Sequence, residues 1–252
     1  MKDQNDFIKS LFVHADTALL LGQRLGELCG HGPVIEQDIA MTNIALDYVG
    51  RSRLFFNLIS QIENNQKTED DYAFLRTENE YHNLLIVEYP NTDFAYTVAK
   101  QFFIDTFYYL YLDACLTSVN QEIRAIAEKS IKETAYHKKW SSEWVIRLGD
   151  GTELSHQKIN AAIQELWMYT GEFFVSTDFE MKISLENILP NCSTLKDKWT
   201  NEVQAVFQQA NLIMPSNAWA QLGGKTGNHT EYMGYILSEM QYMQRTFPEM
   251  QW

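Results

Sequence analysis

Cysteine is scarce in this 252-residue chain: Cys29, Cys115 and Cys192 are scattered, with no paired spacing. Such usage excludes a disulfide framework and a cysteine-built zinc site, and it fits a reducing compartment. Basic residues are also in short supply, with 20 Lys and Arg against 33 Asp and Glu, a net charge of −13. Nucleic-acid binding depends on cations that neutralise phosphates, so that class of function is set aside; the acids read as a solvated surface. No run of about twenty apolar residues is present, so no membrane span is expected. The opening MKDQNDFIKS has no apolar signal region, and the cytoplasm is the expected location. The alternation of a strand is missing too, as is any linker long enough to demand a second domain. Gly223-Gly224-Lys225-Thr226 has the look of a phosphate loop, but Trp219 stands where the first glycine is needed. No Gly-x-Ser-x-Gly is found, so serine-hydrolase chemistry has no motif to rest on.

What the chain does have is apolar residues, 45% of the total, and aromatic ones, 13%, enough to bury a substantial core. Their spacing is helical. Helices are expected over about 10–28, 34–62, 72–83, 91–116, 121–148, 155–174, 195–210 and 229–245. Gly30-His31-Gly32-Pro33 stops the first, the stretch Asn91-Thr92-Asp93 caps the fourth, and Ser118 with Gln121 has capping-box spacing before the fifth. The expected fold is all-α, a single helical domain over residues 1–252.

Four acids fall on the apolar stripes of these helices. Asp16 shares a face with Phe12 and Leu19; Asp47 with Ile44 and Leu54; Asp105 with Phe102 and Tyr109; Glu133 with Ser130, His137 and Trp140. Asp16 and Asp47 are equidistant from the Gly30–Pro33 turn, and Asp105 and Glu133 from the Thr117–Asn120 turn. Two antiparallel hairpins would thus each set two acids level. Di-metal carboxylate bundles use this inventory together with a Glu-x-x-His on each of two helices. Here Gly50 follows Asp47 by three residues and Tyr136 follows Glu133, while His137 is rotated by about 100° from the ligand position. A buried carboxylate must be paired, hydrogen-bonded or bound to metal. Lys100, Lys132, Arg51 and His137 are the candidate partners for a metal-free network, and a di-metal shell of the four acids with His137 is the alternative.

Four segments then carry a resemblance: LGQRLGELCGHGPVIEQDIAMTNIALDYVGRSR (21–53), LLIVEYPNTDFAYTVAKQFFID (84–105), KSIKETAYH (129–137) and GGKTGNHTEYMGYILSEMQYMQR (223–245). From about His14 onward the chain resembles the structural-subunit family, component C, of bacterial phenylacetyl-CoA epoxidases. The resemblance implies a ferritin-like bundle with extra C-terminal helices. It also implies a partner, the catalytic component A, which carries the di-iron site, along with an NADPH-dependent reductase and a small accessory component. The complex epoxidises the aromatic ring of phenylacetyl-CoA with O2. Component C itself is not a catalyst, so no catalytic, cofactor-binding or metal-ligating residue is assigned here. Asp16, Asp47, Asp105 and Glu133, with His137 nearby, are relict positions. Two other readings stay open: a di-metal oxygenase with an unusual shell, and an acidic all-α adaptor.

The remaining features have bland readings. Glu78 and His82 are expected in a surface or capping contact, Glu231 on a helix dipole, and the 223–228 loop at a subunit contact or on plain surface. His31 is expected to cap backbone groups, while the linear pattern offers His14 and His156 no convincing acid or nucleophile to act with. Trp140, Trp144, Trp167 and Tyr108 are expected in the core or an interface. Met240, Tyr242, Met243 and Phe247 could face a partner or pack on the bundle.

Overall fold

A computed structural model describes residues 4–216, 219–248 and 250 of the chain. Ten α-helices and no strand occur among them: α1 Gln4–Gly26, α2 Ile35–Glu63, α3 Glu69–Phe74, α4 Phe94–Cys115, α5 Gln121–Gly149, α6 Glu153–Thr170, α7 Asp178–Leu185, α8 Lys196–Gln209, α9 Tyr232–Met240 and α10 Tyr242–Thr246. Short 3-10 turns join several of them. The contacts gather into two compact units, Met1–Pro90 with Gly223–Trp252, and Asn91–Leu222.

The first unit is built on the α1–α2 hairpin. Level contacts run from Gln4 with Ile62 at one end through Phe12 with Phe56 and His14 with Phe55 to Gly22 with Val49. Gly22 allows the close approach at the last of these, since a Cβ there would lie 2.9 Å from Val49 Cγ2 and 3.2 Å from the Ala45 carbonyl oxygen. This register corrects the mirror expectation. Asp16 lies level with Ser52 and Arg53, and Asp47 is displaced from that level by roughly 8 Å along the axis. The cause is the connection. After α1 the chain keeps turning through Leu28 and Cys29 before it reverses, so the centre of reversal falls near Val34, beyond the Gly30–Pro33 midpoint. In this unit too, the 72–83 segment is a short α3 with a capping box, Thr68 and Asp71, followed by 3-10 turns at Glu78–Glu80 and Leu85–Glu88.

The second unit is built on α4 and α5. Asp93 caps α4 by accepting from the Ala95 and Tyr96 amides at 2.9 and 3.2 Å. The α5 cap is Asn120, which accepts from the Ile123 amide at 3.1 Å, rather than Ser118, whose hydroxyl takes the Asn120 amide. Helix α7 went unanticipated. An aromatic cluster of Phe103, Phe107, Phe173, Phe174, Trp199 and Phe207 fills the interior, and the Trp199 indole donates to the Phe103 carbonyl at 3.1 Å. Trp140 is buried and Trp144 half-buried, both edge-on to Phe94. No helix among the described residues is long and apolar enough to cross a membrane.

Candidate functional site

In the first unit Asp16 is fully buried. One oxygen accepts from Arg76 Nη1 at 3.0 Å and from the His82 amide at 2.8 Å; the other is held by Arg76 Nη2. Every nitrogen of the Arg76 guanidinium has a partner. Its Nε donates to the Tyr72 carbonyl at 2.6 Å and Nη1 to the Glu80 carbonyl at 2.8 Å. Aromatic rings enclose it, with the Tyr81 centroid at 4.1 Å and Phe12 at 4.6 Å. A two-pronged guanidinium is the preferred partner of a buried carboxylate, and the rings screen it from water. Asp16 is therefore a structural anchor. None of the four candidate partners named from the sequence supplies its cation.

A second buried carboxylate, Glu88, was not singled out from the sequence. It accepts from Asn83 Nδ2 and His229 Nδ1, both at 2.7 Å, and from the amide and hydroxyl of Thr230 at 2.7 and 2.6 Å. Arg24 donates to its backbone carbonyl at 2.5 Å. His229 Nε2 lies 3.1 Å from the Tyr81 carbonyl, so both ring nitrogens face acceptors and the ring is an imidazolium. Burial works against that charge, but the Glu88 hydrogen bond and charge outweigh it and raise the His229 pKa. Neighbouring loop residues pack as tightly. Gly224 and Lys225 are buried, the Lys225 carbonyl meets His82 Nδ1 at 3.1 Å, and a Cβ on Gly224 would lie 2.1 Å from the Asn83 carbonyl oxygen. The 223–228 loop thus packs inward at Gly224 and Lys225 while Thr226 and Asn228 are exposed, so it is more than plain surface. His82 likewise belongs to the interior network. Gln241 and Arg245 complete the tie, donating to the Arg76 carbonyl at 2.8 and 2.9 Å respectively.

Asp47 is half-buried on α2. Arg51, one turn on, is buried with its guanidinium 4.8 Å from the Tyr48 ring. His14 is buried; burial, then the charges of Lys225 and Arg51, push its pKa down to about 3, and the ring is neutral.

In the second unit Asp105 is fully buried, accepting from Ser141 Oγ at 3.0 Å and Gln101 Nε2 at 3.3 Å. Ser141 stands about two turns beyond Glu133 on α5, so the hydrogen bond does not pair Asp105 with Glu133. Glu133 is half-buried, His137 is buried, and Tyr136 is exposed. Lys100 is buried and donates to Asn91 at 3.2 Å, while Lys132 faces solvent. His156 Nδ1 donates to the Gly149 carbonyl, 2.7 Å away, and closes the C-terminus of α5. Among the described residues no three His, Cys, Asp or Glu side chains gather as a metal ion would require. The donor set around Asp16, a guanidinium and an amide, also does not fit a cation.

The fold is that of a ferritin-like, all-helical protein, and two of its four core-stripe acids are satisfied by protein donors. A family model described as phenylacetic acid catabolic protein matches residues 1–252. The chain belongs to that family. It is 42% identical over 237 residues, 94% of this chain and 95% of the relative, to the C subunit of the 1,2-phenylacetyl-CoA epoxidase of Escherichia coli (strain K12).

Proposed function

We propose that this chain is the non-catalytic structural subunit of a cytoplasmic 1,2-phenylacetyl-CoA epoxidase. In this reading it pairs with and stabilises the di-iron catalytic subunit, while a reductase and a small accessory component complete the system. The near-complete match to the C component of such an epoxidase supports it most directly. The physics of the buried acids agrees. Where an oxygen-activating bundle presents free carboxylates to iron, this chain has filled Asp16 with Arg76 and the His82 amide. Such a helical scaffold can order a related subunit by burying a broad apolar surface against it.

The test is purification of this chain alone from iron-replete cells, followed by reconstitution with the catalytic subunit. The expected result is well under one iron per chain, no oxo-bridged iron absorption, and a catalytic subunit that is less stable and less active without this chain. Near two irons per chain would move the di-metal oxygenase reading ahead. A catalytic subunit that is stable and fully active alone would defeat the structural role.

A further inference from the structure

Between Leu75 and Pro90 the first unit has little regular structure of its own, only 3-10 turns at Glu78–Glu80 and Leu85–Glu88. Such short turns hold themselves poorly. Yet Tyr81, Leu84, Ile86 and Val87 are buried there, as is the Glu88 carboxylate. Two neighbours fix the segment. One is α1, where Asp16 takes Arg76 and the His82 amide, and Thr17 Oγ1 accepts from the Leu84 amide at 3.0 Å. The other is a strap, residues 223–245, which returns to this unit after the chain has passed through the whole of the second.

The strap is shaped to the segment. A Cβ on Gly224 would lie 2.1 Å from the Asn83 carbonyl oxygen, and one on Gly227 2.6 Å from that of Asn79, so at both points only glycine lets the two backbones meet. The strap also grips, from behind, both residues that fill Asp16. Gln241 and Arg245 hold the Arg76 carbonyl at 2.8 and 2.9 Å, and the Lys225 carbonyl holds the His82 ring at 3.1 Å. Glu88 is the tightest point. Of its four donors among the described residues, Asn83 is local, while the His229 ring, the Thr230 amide and the Thr230 hydroxyl belong to the strap. A buried carboxylate stripped of three donors is very costly, so Glu88 leaves the interior when the strap lifts. It draws the Leu85–Glu88 turn with it, and Leu84 and His82 lie just before that turn in the chain.

We propose that residues 223–245 are a latch, bolted by Thr230 on Glu88, whose closure holds Arg76 and the His82 amide on Asp16. Opening of the latch and release of Asp16 are then one event, separate from the unfolding of α4 and α5.

The experiment is amide hydrogen exchange on the full chain, read by NMR at the His82 amide and across α9, in the wild type and three variants. Thr230→Val removes the hydroxyl on Glu88 and keeps the shape, and Glu88→Gln removes the charge. The control, Thr177→Val, removes the matching hydroxyl–carboxylate bond of the α7 capping box in the second unit. Both latch variants speed exchange at His82 and in α9 together, by about tenfold or more, the effect of losing one hydrogen bond to a charged group. Amides of α4 and α5 keep their wild-type rates, and the control leaves His82 and α9 as they are. Faster exchange at only one of the two sites would overturn the inference, since the clamp on Asp16 would then be independent of the strap. So would wild-type rates at both sites in a folded Thr230→Val chain, or a uniform rise that includes α4 and α5, for the strap would then not open apart from the rest.

Discussion

Arg76 and Asp16 decide how the first unit holds its 72–90 segment. The pair is buried, and removing one member strands the other charge away from water. Arg76→Ala is therefore expected to cost about 3–5 kcal/mol. Chemical denaturation with far-UV circular dichroism checks this, and Arg76→Lys, which keeps the charge without the fork, should fall between. A loss below about 1 kcal/mol would mean that water reaches the carboxylate. That Asp16 is buried was legible in the sequence, from its place among Phe12 and Leu19. Its partner was not, because Arg76 lies 60 positions away in a segment whose helix ends early, and linear spacing says nothing of such contacts. His14 gives a second test at this scale. Burial and the charges of Lys225 and Arg51 hold its pKa near 3 when folded, against 6.5 unfolded. As pH falls from 6.5 toward 3 the unfolded chain binds a proton that the folded chain refuses. Stability should drop in that window by roughly 1.4 kcal/mol per pH unit from this group. His14→Gln should remove that share of the slope in denaturation curves taken at stepped pH.

At the scale of elements, the long helices were legible because period and caps agree, as with the Asn91-Thr92-Asp93 stretch before α4, within which the structure selects Asp93. Helix α7 was not, since its eight residues bury only Glu180 and Ile183. The signal that could have found it is Thr177 with Glu180, a reciprocal capping box. The cap of α5 was misplaced by two residues because Ser118 and Asn120 are both good capping types, and only the geometry chooses. The contact between the start of α9 and the 81–88 segment was hidden altogether, as it joins residues 141 positions apart. Its chemistry predicts a pH response. Folding raises the His229 pKa, so the stabilisation is complete below about 6.5 and is lost as pH rises through the folded value. The groups facing the ring are Glu88, the Tyr81 carbonyl and, at longer range, Glu78. Amide exchange in α9, corrected for intrinsic rate, should lose protection as pH rises above about 6.5. Glu88→Gln should flatten that dependence at a lower starting protection. A steep response that survives in Glu88→Gln would assign it to another group.

Across the whole molecule, the stripes placed Asp16 and Asp105 in the core, but they overstated the burial of Asp47 and Glu133 and did not tell what any of the four faces. Equidistance from a turn implies level pairing only if the turn adds no asymmetry, and the 27–34 connection adds about 8 Å. Restoring a metal centre is harder for that reason than the motif suggests. Judged by motif alone, the defects are the missing histidines at Gly50 and Tyr136, and replacing both would complete two acid-x-x-His pairs. Space permits the first change, for a Cβ at Gly50 meets nothing, and Tyr136 is already exposed. Both substitutions should therefore be tolerated. They should nevertheless fail to create an iron site, because Asp16 stays bound to Arg76 and the His82 amide, and a cation would have to displace a buried guanidinium to reach it. The expected outcome for the Gly50→His, Tyr136→His variant is a folded chain with iron content equal to that of the wild type, measured by plasma emission after iron-replete growth. Stoichiometric iron in that variant would show that histidine loss alone had silenced the site, and that the Asp16–Arg76 pair yields to metal.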